Sequence, residues 1–184
     1  MAIKDQGKTR ALRVVRDSHN PVQRARAFVS LGREAHDKRK AESLLQRALD
    51  EASHASEPYL AVWEAASALR TLLGRGLSAE LSQDVDRLMA ICDRETNPIR
   101  RGDALWVIAS AIEGSSPGSF RKAIDACAAA FLSAHGYLRD YRLKRLAISV
   151  NRFNPEQAVE LAQAIHRPRE RRRAFQAIGH PESV

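Results

Sequence analysis

Apolar residues along this chain recur at the spacing of a helix, and the helices themselves recur in a longer rhythm. Counting from Pro98, residues Ala104, Leu105, Ile108 and Ala109 stand at offsets six, seven, ten and eleven. From Pro21 the same offsets give Ala27, Phe28, Leu31 and Gly32, and from Pro168 they give Ala174, Phe175, Ile178 and Gly179. Pro58 opens a looser copy with Ala65, Ala68 and Leu69, and Gly136 opens another with Leu143, Leu146 and Ala147. Positions ten, seven and six before each anchor repeat as well. They hold Ala11, Val14 and Val15; Ala48, Glu51 and Ala52; Leu88, Ile91 and Cys92; Ala126, Ala129 and Ala130; and Ala158, Leu161 and Ala162. Separations of three and four mark one face of a helix, and Glu51 is the misfit of the set. Each unit therefore reads as a helix, a short break and a second helix.

Punctuation agrees with this reading. Asn20-Pro21, Asn97-Pro98, Ser116-Pro117 and Asn154-Pro155 each place a capping side chain before a proline suited to the first helical position. Ser78 with Glu80 marks another helix start, and Gly74 and Gly114 fit helix ends. The pattern predicts ten helices, at 8–18, 21–35, 38–55, 58–73, 78–95, 98–113, 117–134, 137–151, 155–166 and 168–178. No stretch alternates as a strand bounded by turns would.

A helical hairpin cannot bury its apolar face alone, so successive hairpins must stack. The anchors lie 37, 40, 38 and 32 residues apart. In periodicity and helical layout the chain resembles the α-solenoids, HEAT-like or tetratricopeptide-like, over nearly its whole length. The resemblance implies an all-α superhelix of five stacked hairpins in one domain, 1–184. With helices about 8–10 Å apart, it would form an arc on the order of 50 Å long. The period lies between the two families' values, and the W-x-x-L-G-x-x-Y element of the tetratricopeptide repeat is missing.

Composition narrows the function class. Apolar residues make up 44% of 184, enough for a core. The longest apolar-biased runs, "ALWVIASAI" and "ACAAAFLSA", fall well short of the roughly 18 residues of a membrane span. The start, "MAIKDQGKTR", has no apolar stretch of a signal peptide. Cys92 and Cys127 stand alone inside helical patterns, as buried thiols in a reducing compartment would. These features predict a cytoplasmic protein without membrane association. The formal charge of +8 is uneven: residues 1–40 carry 11 Lys/Arg against 4 Asp/Glu, residues 41–136 carry 9 against 13, and residues 137–184 carry 10 against 5. Two basic ends around an acidic middle suit an anionic partner.

Arginine recurs at offset three, as Arg24, Arg101, Arg139 and Arg171, with Ala61 the exception. At 100° per residue that position borders the apolar stripe. One reading is structural: each guanidinium lies along the neighbouring hairpin and donates to helix-end carbonyls or to a carboxylate, with Asp17 and Asp93 as candidates. The other is a ladder of guanidinium groups facing an anionic strand or peptide. Arg26, Arg100, Arg145 and Arg173 point instead to solvent. "HRPRERRRAF" bunches Arg167, Arg169, Arg171, Arg172 and Arg173, the densest candidate for phosphate contacts. Aromatic residues, at 5%, are too few for an extended base-stacking platform. Tyr59 and Tyr137 share offset one and line one edge.

His19, His54, His135 and His166 recur near helix C-termini, where a histidine interacts favourably with the helix dipole. Equivalent positions in successive hairpins lie a repeat apart, too far for shared zinc ligation at about 2 Å. The acid pairs Asp84 and Asp86, or Glu156 and Glu160, read as ordinary helix charges. "LLGRGLSAE" lacks the spacing of a phosphate-binding loop. Trp63 and Trp106 read as packing or a groove wall. No catalytic, metal or cofactor residues are therefore expected. The chain is expected to be a non-enzymatic scaffold that binds a protein or peptide in its groove. The alternative is a nucleic-acid-binding solenoid that uses the arginine cluster. The first helix, with Ala11, Leu12, Val14 and Val15, is expected either to cap the stack or to meet another copy.

Overall fold

The computed structural model describes residues 2–77 and 80–181. Among the described residues the chain forms ten helices and no strand. They are α1 (Ala2–Asp17), α2 (Pro21–Glu34), α3 (Lys38–Ser53), α4 (Pro58–Gly74), α5 (Leu81–Cys92), α6 (Pro98–Ile112), α7 (Pro117–Leu132), α8 (Tyr137–Val150), α9 (Pro155–Gln163) and α10 (Pro168–Ile178). The fold is all-α. Helix α1 extends further toward the N-terminus than its apolar pattern, and α5 is shorter than 78–95. Ser78 lies outside the described residues.

The expected caps form. Asn20 Oδ1 accepts from Val22 N at 2.9 Å and Gln23 N at 3.3 Å. Asn97 Oδ1 accepts from Ile99 N at 3.0 Å and Arg100 N at 3.1 Å. Asn154 Oδ1 accepts from Gln157 N at 3.2 Å, and Ser116 Oγ from Ser119 N at 3.4 Å. These bonds satisfy first-turn donors that no intrahelical carbonyl can reach. Gly74 turns out to be the last residue of α4. The left-handed backbone falls two residues later, at Gly76 (φ 64°), whose N–H reaches back to Leu73 O at 3.0 Å.

The chain packs as two compact units. One comprises Met1–Thr96 with Asp103–Ile124, the other Asn97–Gly102 with Asp125–Val184. In the first unit α1 packs on α2, α2 on α3 and α4, α3 on α4 and α5, and α4 on α5. Each of α2 and α3 thus meets the helix that follows it and the one two further on, as stacked hairpins require. Polar contacts keep the same step. Arg26 pairs with Glu64 and Arg33 Nε donates to Thr71 Oγ1, each 38 residues apart. Arg87 pairs with Asp50 across 37 residues and Lys122 with Asp86 across 36. In the second unit α8 packs on α9 and α10, and α9 on α10.

Small residues let the helices approach. A Cβ on Gly32 of α2 would stand 2.7 Å from Leu45 Cγ of α3, a side chain with no exposed surface. Alanines 25, 41, 48, 61, 65 and 68 are buried for the same reason. Ala11 of α1 is buried with Ala27 and Leu31, and Val14, Val15 and Leu44 pack against them. The first helix thereby covers α2, and Leu12 points outward.

One expected stripe is displaced. On α7 the buried residues are Ala123, Ile124, Cys127, Ala128, Ala130 and Phe131, whereas Ala129 is exposed and Ala126 only half-buried. The cause lies at the anchor. Gly136 is the N-cap of α8 (φ 83°), so Tyr137 takes the first helical position that proline holds in the other copies. Counting ten, seven and six back from Tyr137 gives Cys127, Ala130 and Phe131, all buried. Counted from its first helical residue this hairpin keeps the register of its siblings, and the four residues between α7 and α8 match the gaps before α4 and α10.

Candidate functional site

Of the offset-three arginines, Arg24, Arg101 and Arg171 are half-buried at the border of the core, whereas Arg139, only two residues past the first residue of α8, is buried. Arg24 Nη1 donates to Ser18 O at 2.9 Å, just past the C-terminus of α1, and Nη2 pairs with Glu51 Oε2 at 2.6 Å. Glu51, which broke the apolar pattern of α3, is thus the carboxylate that receives Arg24. Asp17, the expected acceptor, is exposed and accepts from Arg16 Nε at 2.7 Å instead. Arg139 Nη1 pairs with Asp140 Oδ1 at 2.7 Å, and both side chains are buried. The Asp140 carboxylate also accepts from Arg167 N at 3.0 Å and His166 N at 3.3 Å, which fixes the turn ahead of α10. An arginine in a first helical turn opposes its own dipole, but here it reaches a neighbouring helix end and a carboxylate.

Guanidinium groups close other helix C-termini one repeat back. Arg75, just past α4, donates to Gly32 O and Ala35 O of the α2 end, both at 2.7 Å. Arg94, just past α5, donates to Ser53 O of α3 at 3.2 Å. In the opposite direction along the chain, the Asn151 side-chain amide donates through Nδ2 to Ile178 O of α10 at 3.2 Å, 27 residues ahead. Of the histidines, His54 is the C-cap of α3 with Nδ1 2.8 Å from Asp50 O. His19, His135 and His166 are exposed.

The C-terminal cluster divides. Arg167, Arg169, Arg172 and Arg173 are exposed, whereas Arg171 is half-buried. Arg173 Nη1 lies 3.2 Å from Glu170 Oε1, and Lys144 of α8 holds the other oxygen of that buried carboxylate. The Lys144 ammonium keeps the Glu170 carboxyl below its ordinary 4.5. Arg26, Arg100 and Arg145 are exposed as well.

The structure adds a feature that offset one only hinted at. Tyr137 and Tyr141 stack in α8, with ring centroids 6.3 Å apart and an interplanar angle of 27°. Tyr59 and Trp63 form the corresponding edge-on pair in α4, at 6.2 Å and 67°. Both pairs share the spacing aromatic, leucine, aromatic at i, i+1 and i+4, "YLAVW" in one unit and "YLRDY" in the other, although the α8 group starts at the first helical residue and the α4 group at the second. These apolar groups face outward, with Tyr137 49%, Leu138 53%, Leu60 42% and Trp63 47% exposed. Only the shared i, i+1, i+4 spacing of aromatic, leucine and aromatic signals this in the sequence.

The two aromatic pairs differ in their rims. Around the α8 pair the guanidinium of Arg167 lies 4.9 Å from the Tyr137 centroid, and Lys144 and Arg142 lie 5.2 and 5.7 Å from that of Tyr141. On α4, Glu64, the residue after Trp63, pairs with Arg26 at 2.6 Å. One acidic group stands apart. Asp84 of α5 is only 4% exposed, its bond from Gln46 Nε2 is long at 3.4 Å, and burial pushes its carboxyl above the ordinary 3.8. Cys92 and Cys127 are buried free thiols, with the Cys127 thiol donating to Gly102 O at 3.3 Å. Among the described residues no three His, Cys, Asp or Glu side chains gather as metal ligands would. No described helix is long and apolar enough to cross a membrane. No family model, curated protein or solved structure matches the chain.

Proposed function

We propose that the chain is a non-enzymatic helical-repeat scaffold, of α-solenoid type, that binds a protein or peptide partner. The observation that carries this reading is the aromatic and leucine group found in the first turns of both α4 and α8, where Leu60, Trp63, Tyr137 and Leu138 are exposed and Tyr59 and Tyr141 half-buried. Single exposed apolar side chains are ordinary, whereas grouped ones rimmed by polar residues mark interaction sites. The polar contacts one repeat apart and the helix-end caps supply a rigid frame for such groups. The test is a pull-down with the full chain from a nuclease-treated extract of the source cells. A stoichiometric protein partner is expected. Recovery of nucleic acid before nuclease treatment, with no protein partner after it, would overturn the reading.

The second reading is nucleic-acid binding through Arg167, Arg169, Arg172 and Arg173, supported by their exposure at the start of α10. Several phosphate contacts make affinity fall steeply with salt, so gel shifts at about 50 and 200 mM salt decide it. A shift at the lower concentration that fades at the higher is expected on this reading. No shift at either removes it.

A further inference from the structure

Resting on the scaffold reading, we propose that Tyr137, Leu138, Tyr141, Arg145, Arg167 and Arg169 seat a short acidic protein segment that carries a bulky apolar side chain. The apolar part of the seat lies in the first turns of α8. Tyr137 and Leu138 are each about half exposed, and Tyr141 stands one turn further along the same helix. Aromatic and leucine side chains grouped this way supply area at low entropic cost, which is the character of an interface anchor.

The exposed charge on the two elements of the seat has one sign, and the exposed carboxylates Glu156 and Glu160 stand on α9, which packs on both. Every fully exposed charged residue on α8, on α10 and at the Arg167 cap is an arginine: Arg145, Arg167, Arg169, Arg172 and Arg173. The carboxylates of the same elements, Asp140 and Glu170, are buried and held by Arg139, Lys144 and Arg173. Asp140 and Glu170 stand in the first turns of α8 and α10, where they answer the positive ends of those helices from inside, so the outward field is that of the arginines. A cationic rim around an apolar centre complements an acidic segment with an apolar anchor.

The geometry favours a peptide over a nucleic acid strand. Base recognition of a single strand needs open aromatic faces. Here the protein's own cations lie over the rings, Arg167 at 4.9 Å from Tyr137 and Lys144 at 5.2 Å from Tyr141. The Leu138 side chain, 53% exposed beside them, suits an aliphatic or aromatic side chain better than a stacked base. Of the guanidiniums expected to form a ladder, Arg24 and Arg139 are already spent on carboxylates.

The test is fluorescence anisotropy with the full chain and a labelled peptide of about a dozen residues, rich in Glu around one Leu and one Trp, for which a Kd of about 1–100 µM is expected. Replacing each Glu by Lys should abolish binding, and replacing Leu and Trp by Ser should weaken it at least about fivefold. Leu138→Ser and Arg169→Glu, both at exposed positions, should each weaken it by about fivefold or more, with Arg39→Glu, an exposed arginine of α3, within about twofold as the matched charge control. No saturable binding at about 200 µM chain, an equal effect of R39E and R169E, or binding of a labelled oligothymidine in place of the peptide would overturn the proposal. If the peptide fails while the pull-down still yields a protein partner, this seat is wrong and the scaffold reading stands. If the pull-down also yields none, the scaffold reading falls with it.

Discussion

Replacing Gly102 by alanine sets two effects of known size against each other. Gly102 lies in α6, where alanine is intrinsically favoured over glycine by about 1 kcal/mol. The new Cβ, however, would stand 2.3 Å from Cε1, 2.5 Å from Cδ1 and 2.9 Å from Cζ of Phe131. Carbon atoms pack at about 3.5–4.0 Å, so the ring must retreat by on the order of 1 Å. Phe131 is 2% exposed and cannot swing into solvent. Overpacking a core in this way costs about 1–3 kcal/mol, and a rigid ring met at three atoms belongs in the upper half of that range. The net expectation is a loss of about 1–2 kcal/mol, seen by far-UV circular dichroism as a Tm lowered by about 3–8 °C. Gly118 in the first turn of α7 is the internal control, because nothing lies within 4 Å of its Cβ position. Gly118→Ala should leave stability unchanged or raise it by up to about 1 kcal/mol. Phe131→Leu opens space beside Gly102, so the G102A/F131L double variant should lose less than the sum of the single losses. A G102A protein as stable as the parent, or a cost unaltered by F131L, would refute the close-packing argument.

Glu51→Ala strands a half-buried guanidinium, and a double-mutant cycle with Arg24→Ala in urea should give a coupling of about 1 kcal/mol, with zero coupling removing the pair from the frame. Asn20→Ala deletes the α2 cap and should cost about 1 kcal/mol in the same assay. Asp84 and Glu170 act oppositely with pH. Burial raises the folded-state pKa of Asp84, so its ionisation weakens the fold as pH rises above 3.8. Asp84→Asn should therefore be more stable than the parent at neutral pH, with the advantage shrinking as pH falls toward 3.8. Lys144 lowers the folded-state pKa of Glu170, so this group stabilises above 4.5 and its contribution fades as pH falls below that value. Glu170→Gln should be less stable than the parent at neutral pH and converge with it in acid. Unfolding midpoints measured from pH 3 to 8 check both signs.

The helices were legible because their signals are local. A capping asparagine, a proline at the first helical position and apolar residues three and four apart act within a few residues; α2, α6 and α9 begin at an Asn-Pro step, and α4 and α10 at a proline. The α7 stripe was misplaced because Gly136 was equated with the prolines of the other copies. Glycine serves as an N-cap there, while proline serves one position later, and a one-residue slip turns a helix by about 100°. The roles of the arginines were harder to read because they depend on neighbours a repeat away. Arg24 and Arg101 share an offset, but the carboxylate that receives Arg24 comes from the third helix, 27 residues on.

Glu51 shows how an apparent fault in a pattern becomes information. A carboxylate on an apolar stripe is costly unless a partner meets it, and here the partner is another residue that its own helix should disfavour. Each of the two violations supplies what the other lacks, so neither is an error of the repeat. The same reasoning separates the arginines of the chain. Those whose charge is answered inside the fold, such as Arg24, Arg75 and Arg139, hold helix ends and turns. Arg145 and Arg169 stand on exposed turns beside an apolar group with the carboxylates of α8 and α10 buried. Their field is directed outward, and an acidic segment arriving at α8 would find its apolar contact and its counter-charges on the same surface.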